Sequence, residues 1–313
     1  VAEQAAPRET YGLIIVELGK TNPDIVVLDA DLGPSTMVKH FAAAFPERFV
    51  EVGIAEANMI GIAAGLAASG KLPFASTFAV FASSRCFDQV RVSVAQSDLN
   101  VKIVATHAGV TVGEDGGSHQ ALEDLSLYCS LPNFTVIVPA DSVETAGVIR
   151  AVAEHVGPCY VRLPRIKLPV INQPDYRFKL GEAATLRDGT DVTIIAIGVM
   201  VSAALDAAEA LAAEGISARV LNMATVKPID AGAVLAAAEE TGAIVTAEEH
   251  QKHGGLGSIV AEIVGEHRPV PVHFVAVQDV FGQSGKPDEL LHYYGLTAAD
   301  IVRAAKQALS RKG

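Results

Sequence analysis

Glu56 opens the Gly/Ala-rich run Glu56-Ala-Asn-Met-Ile-Gly-Ile-Ala-Ala-Gly-Leu66, directly after a short apolar segment. That spacing places a carboxylate on the N-terminal turn of a helix, where it could serve as a catalytic acid. The helix macrodipole would favour it there by about 0.3–1 kcal/mol whatever its use. A second run, His107-Ala-Gly-Val-Thr-Val-Gly-Glu-Asp115-Gly-Gly-Ser-His119, sets two imidazoles around a loop with an acidic pair. Its glycines permit positive φ and close approach of a ligand to the backbone. One histidine alone is more often structural than catalytic. Two of them flanking Gly-Glu-Asp-Gly-Gly after an apolar strand point to catalysis.

Strand–helix alternation supplies the scaffold these groups need. Strands are expected at 25–28, 49–52, 74–77, 101–106, 135–138 and 159–163. Helices are expected at 10–21, 55–69 and 79–97, and from the capping-box-like Asp141-Ser-Val-Glu144 to about residue 155. This order predicts a parallel sheet covered on both faces. In such sheets ligands sit beyond the carboxyl ends of the strands. Asp31 and Ser35, Glu56, His107, and Arg162 with Arg165 all follow or close predicted strands. Prolines at 164, 169 and 174 then interrupt the periodicity. A smaller unit follows, with strands at 193–197, 218–222, 243–246 and 273–277 and helices at 201–214, 230–241, 257–266 and 297–309. The predicted class is α/β: a parallel-sheet domain over 8–168, a linker over 169–189, and a second parallel-sheet domain over 190–313. The polar residues after the second set of strands, Glu248-Glu-His250 among them, are less suggestive of a site.

Half of the 313 residues are apolar, enough for two cores. The formal charge of −12, without a Lys/Arg cluster, argues against binding nucleic acid or an anionic membrane surface. The longest apolar stretch, 192–205, is too short to span a bilayer. Residues 1–8 lack a secretory pattern. Cys86, Cys129 and Cys159 are far apart and read as reduced, mostly buried thiols. The expectation is a cytoplasmic protein.

Further runs join the first two: Asp31-Leu-Gly-Pro-Ser35, Pro73-Phe-Ala-Ser-Thr-Phe78-Ala-Val-Phe81, Glu248-Glu-His250 with Gly254-Gly-Leu-Gly-Ser258, and Val280-Phe-Gly-Gln-Ser-Gly285. Together, over nearly the full length, these segments resemble the C-terminal half of transketolase: its pyrimidine-binding domain followed by its smaller C-terminal domain. The resemblance implies a thiamine diphosphate enzyme that moves a two-carbon ketol unit from a ketose phosphate to an aldose phosphate. It implies that Glu56 bonds the N1′ nitrogen of the cofactor's aminopyrimidine, in surroundings apolar enough to retain the shared proton. Phe78 and Phe81 would sandwich that ring, with Asp31 and Ile54 among the other cofactor contacts. His119 would meet the donor's reacting hydroxyls, His107 the sugar phosphate, and Asp115 the acceptor's hydroxyl stereochemistry. Ser35 and Arg165 match phosphate ligands. Ala55 and Ala57 stand where the family usually has arginine and histidine, and Ser84 where longer members have tyrosine. These departures bear on the donor substrate more than on the chemistry.

The family's Gly-Asp-Gly motif, followed some 25–30 residues later by Asn, is missing. Mg²⁺ and the diphosphate would therefore be anchored mainly by a separate N-terminal transketolase subunit, with no metal ligand from this chain, in an α2β2 assembly. Gly61 and Gly65, one turn apart, would either let helices approach across a two-fold axis or pack on their own sheet. Competing readings are the β component of a 2-oxoacid dehydrogenase, a deoxyxylulose-phosphate synthase relative, and a non-catalytic subunit.

Overall fold

The computed structural model describes residues 3–312. Val1 and Ala2, the start of the segment expected to lack a secretory pattern, and Gly313, the end of the expected second domain, lie outside the described residues. Ile25–Asp29, Leu72–Phe78 and Lys102–Thr106 are buried along their whole length, as central strands of a sheet covered on both faces must be. They pair in parallel, with Phe49–Glu51 at one edge and Cys159–Arg162 then Thr135–Ile137 towards the other. Helices Pro7–Thr21 and Ser142–Glu154 cover one face through Tyr11, Ile15, Val148 and Val152. Glu56–Ala68 covers the other through Met59, Ile60, Ala63 and Ala64. Asp141 caps its helix by accepting the Glu144 amide at 2.8 Å, while the Glu144 carboxylate reaches back to the Ala140 amide at 2.7 Å.

The second sheet runs Val272–Val277, Ile244–Gln251, Val192–Ala196, Ala218–Asn222, Ala184–Arg187. The first four strands are parallel and the last is antiparallel. The α/β class with parallel-rich sheets is as predicted.

Two sequence expectations need correction, and an open alternative is decided. The segment 169–189 is not all linker: Ala184–Arg187 is the edge strand of the second sheet, and Leu168–Pro169 pairs with Gln4–Ala5. An edge strand half open to water needs no apolar run, so its sequence read as loop. The helix expected over 79–97 is broken into Ala79–Ser84, Phe87–Gln89 and a π-helical turn at Val90–Ala95. Ala82 O, which would take the Cys86 amide in a continuing helix, instead accepts the Tyr128 hydroxyl at 2.9 Å and the Cys86 thiol at 3.1 Å. Of the two readings left open for Gly61 and Gly65, packing on their own sheet falls away, since a Cβ at either would meet nothing within 4 Å.

A seventh strand in the first sheet was not predicted. Thr225–Lys227, from the second half of the chain, pairs antiparallel with Thr135–Ile137. The apolar core follows it across: Phe134 and Val136 belong to the same buried cluster as Leu221, Met223, Val226 and Val260. The three cysteines are free, with Cys86 and Cys159 buried. Among the described residues, no helix is long and apolar enough to cross a membrane.

Candidate active site

The carboxyl ends of the parallel strands gather the titratable groups. Glu56 is the first residue of its helix and 3% exposed. Its surroundings are not purely apolar, however. Arg85 Nη1 donates to Glu56 Oε1 at 3.1 Å, and the Arg85 guanidinium lies 3.9 Å from the centroid of the Phe81 ring. Arg85 sits at the break in the expected helix, which turns it back over the aromatic one helical turn before it.

Phe78, at the end of Leu72–Phe78, and Phe81 lie nearly parallel with centroids 5.8 Å apart. Roughly 7 Å would be needed to admit a third ring between them at van der Waals spacing. They form an offset stack and not the expected sandwich. The His107 imidazole stacks on Phe78 at 3.8 Å, and His119 meets Phe81 edge-on at 5.4 Å. The face of Phe81 nearest Glu56 is thus covered by the Arg85 guanidinium.

His107 follows Lys102–Thr106 in a left-handed conformation, φ +58°. That backbone is uncommon for a side-chain-bearing residue and costs energy that the surrounding structure must supply. The Thr106 hydroxyl and His107 Nδ1 share a 2.8 Å hydrogen bond. Burial above all, then the positive charges of Arg8 and Arg165, pushes the His107 pKa down to about 3. The ring is neutral at physiological pH, so Nε2 is available as a hydrogen-bond partner and not as a fixed cation.

Arg8 was missed in the sequence. It lies on the first turn of Pro7–Thr21, where no local pattern distinguishes it from any helix-start arginine. Its Nη1 donates to Ser35 O at 2.7 Å, and its buried Nε has no hydrogen-bond partner. Arg165 donates to Val112 O at 2.6 Å and lies 3.6 Å from Glu114 and 3.8 Å from Asp115. Ser35 is thus tied through its carbonyl. Arg8 and Arg165 lie within electrostatic range of each other and of the neutral His107 imidazole, a concentration of positive charge that an anion would relieve.

Asp31 and Ile54 lie apart from this cluster. Glu51 Oε1 accepts the Asp31 amide at 2.9 Å and the Gly53 amide at 2.8 Å, which ties their two turns together. Ile54 is 74% exposed, a large apolar side chain left in the open beside the buried carboxylate. Behind them Asp29 and Glu51 are register partners on adjacent strands. Asp29 Oδ2 accepts the Leu32 and Gly33 amides at 2.9 and 2.6 Å, whereas Oδ1 is buried without a partner. Burial first, then Glu51, raises the Asp29 pKa from 3.8 to about 7.

The folded chain therefore holds this proton more tightly than the unfolded chain, and stability is lost as pH rises between those two values. Asp29→Asn can keep both backbone bonds through Oδ1 and donate to Glu51. It is expected to raise the Tm by several degrees at about pH 8 and to leave it unchanged at about pH 4. Thermal melts at the two pH values check this. An equal shift at both would rule out the raised Asp29 pKa as the cause.

Residues 3–170 match the family pattern described as "Transketolase, pyrimidine binding domain", and residues 181–301 match "Transketolase, C-terminal domain". The chain belongs to the transketolase family. It is 48% identical over 305 residues to a 6-deoxy-6-sulfo-D-fructose transketolase subunit of Clostridium sp. (strain MSTE9), covering 97% of this chain and 95% of the relative. It is 39% identical to a subunit of an apulose-4-phosphate transketolase from Phocaeicola vulgatus, covering 98% of each. Among solved structures, one described as a split-gene transketolase in an inactive β4 tetramer superimposes with a TM-score of 0.93 at 54% identity, covering 98% of this chain and 99% of that one. The similarity is to subunits of split transketolases, transferases assembled from more than one chain.

Of the residues the transketolase resemblance singled out, the structure brings Glu56, Phe78, Phe81, His107 and His119 into one run of contacts. Arg165 and Asp115 lie beside that run, and Ser35 joins it through Arg8. Asp31 and Ile54 are joined to none of these by a hydrogen bond or ring contact among the described residues, and the turns that carry them meet at Glu51. Arg85 stands four residues after Phe81, a one-turn spacing that could have been read from the sequence.

Proposed function

We propose that this chain is the pyrimidine-side subunit of a split, thiamine diphosphate-dependent transketolase, passing a two-carbon ketol unit from an anionic ketose to an aldose phosphate. The observation that carries this reading is the meeting of a buried carboxylate, a stacked aromatic pair and two imidazoles beside the Arg8–Arg165 pair. The residues present fit the pyrimidine half of the cofactor. Glu56 offers an acceptor oxygen, Phe81 a flat apolar face, and Ile54 an exposed apolar support. When bound, thiamine diphosphate supplies the nucleophilic carbon and the electron sink.

Glu56 would hold the proton shared with the pyrimidine's ring nitrogen N1′. His119 would orient the sugar hydroxyls at the reacting carbons and hold or release their protons. Neutral His107 would donate from Nε2 to the sugar or its anionic tail without adding charge. Arg8 and Arg165 would clamp that tail, and Asp115 would test a hydroxyl of the acceptor. The relatives' names specify ketoses with a sulfonate or a phosphate, tails of the kind two guanidiniums would hold.

Mg²⁺ and the diphosphate fall to an N-terminal transketolase subunit in the cytoplasm. The outward Gly61/Gly65 face of Glu56–Ala68 supports contact with another chain in an α2β2 assembly, because an apolar helix left uncovered there can approach closely. A role in pentose phosphate metabolism follows if the donor is a pentulose phosphate.

The test is reconstitution. The purified chain is combined with a diphosphate-binding transketolase subunit, thiamine diphosphate and Mg²⁺, and ketol transfer between sugar phosphates is assayed. Activity is expected from the pair and none from this chain alone. Pyruvate decarboxylation with lipoyl reduction, in place of ketol transfer, would overturn the reading.

A further inference from the structure

The loop carrying both imidazoles is held from outside its own domain. Thr111 N donates to Glu249 Oε1 of the second domain at 2.5 Å. Gly109, φ +79°, lies so close to the same carboxyl group that a Cβ there would collide with it. Farther along, Gln120 Nε2 donates to Val110 O at 3.1 Å within the loop and to Gln283 O of the second domain at 3.0 Å. Gly117 packs against Gly282 O, where a Cβ would come within 2.6 Å. Both ends of the loop therefore rest on the second domain, one on a carboxylate and the other on backbone.

Glu249 is 2% exposed, and its Oε2 has no hydrogen-bond partner. Burial raises its pKa to about 7 against the lowering effects of Arg162 and the Thr111 amide. A buried carboxyl group left half satisfied costs stability. A hydrophobic residue could have filled the same space without that cost. What the carboxyl supplies instead is an acceptor for an amide four residues from His107, whose left-handed backbone has to be held in place.

We propose that Glu249 is a positioning residue for the sugar-facing loop, fixing the turn at Gly109–Thr111 so that His107 and His119 stay aligned over Phe78 and Phe81. This gives the second domain a part in holding the site. The inference rests on the ketol-transfer reading, and its test separates the two.

Three variants of the full chain are compared: Glu249→Ala, Glu249→Asp, which keeps the carboxylate but withdraws it from Thr111, and Glu249→Gln, whose Oε1 can still accept the Thr111 amide. Thermal melting establishes which are folded, and Glu249→Asp serves should Glu249→Ala not fold. Hydrogen–deuterium exchange of the peptide spanning 107–120 is expected to quicken at least about tenfold in the Ala and Asp variants and to return to the wild-type rate in Gln. With the diphosphate-binding subunit and cofactor, the donor KM is expected to rise about tenfold in Ala and Asp. Exchange of the thiazolium C2 proton of bound cofactor, which depends on Glu56, should stay at the wild-type rate.

Wild-type loop protection and donor KM in a folded Ala or Asp variant would overturn the inference, as would a Gln variant no better than Ala. Absence of transfer by the wild-type pair would sink the functional reading instead. Loop exchange would still decide whether Glu249 holds the loop.

Discussion

Changing Glu56 to alanine or glutamine is expected to lower ketol transfer by about a thousandfold or more, equivalent to roughly 4 kcal/mol of lost transition-state stabilisation. A glutamine side chain keeps the shape and can still accept from Arg85. Its amide cannot share a proton with a ring nitrogen as a carboxyl group can. Both variants should fold, because the partner left behind, Arg85, is half exposed and can turn to water. The change should therefore appear in kcat with little movement of the Tm. Steady-state transfer by the reconstituted pair measures it. Full turnover by Glu56→Ala would remove the proposed mechanism.

Arg8→Ala and Arg165→Ala carry the second large effect, and it should fall on KM. A hydrogen bond to a charged group contributes about 1.5–3 kcal/mol, so loss of either guanidinium should weaken a phosphorylated or sulfonated donor by roughly 10- to 150-fold. An unphosphorylated ketose should feel little of this. The comparison between tailed and tailless donors separates a clamp on the anion from general damage. Arg165→Ala has an added cost, since Val112 O, Glu114 and Asp115 lose their cation and the loop loses one of its ties. An equal loss with both kinds of donor would show that neither arginine meets the anion.

The fold could be read to a useful depth from period and punctuation. Buried parallel strands announce themselves as unbroken apolar runs, and Asp141-Ser-Val-Glu144 marked a helix start that the structure places at Ser142. Strands that are short or half exposed left no such mark. Ala184–Arg187 looked like linker, and Thr225–Lys227 like nothing at all. The same division runs through the site. Glu56, His107 and His119 stand in recognisable runs, whereas Arg8 reaches the site from the first turn of the N-terminal helix and Glu249 from across a domain boundary. Their roles are set by packing, which a single sequence does not display. Arg85 lies between these cases: its spacing from Phe81 was legible, but the helix break that turns it towards Glu56 depends on the Tyr128 hydroxyl, from a distant element, and the Cys86 thiol occupying the Ala82 carbonyl.

The strand Thr225–Lys227 has a bearing on how the chain can be divided. It closes the far edge of the first sheet, so a fragment ending in the proline-rich crossing would leave Thr135–Ile137 with a bare row of amides and carbonyls open to pairing with any other strand. The buried cluster around Phe134 and Val136 would lose its lid at the same stroke. A protease could nick the crossing without separating the pieces, because the seam is sewn elsewhere. With a strand pairing and a buried cluster shared across it, the boundary between the family's two named domains is not a line along which this molecule is expected to come apart.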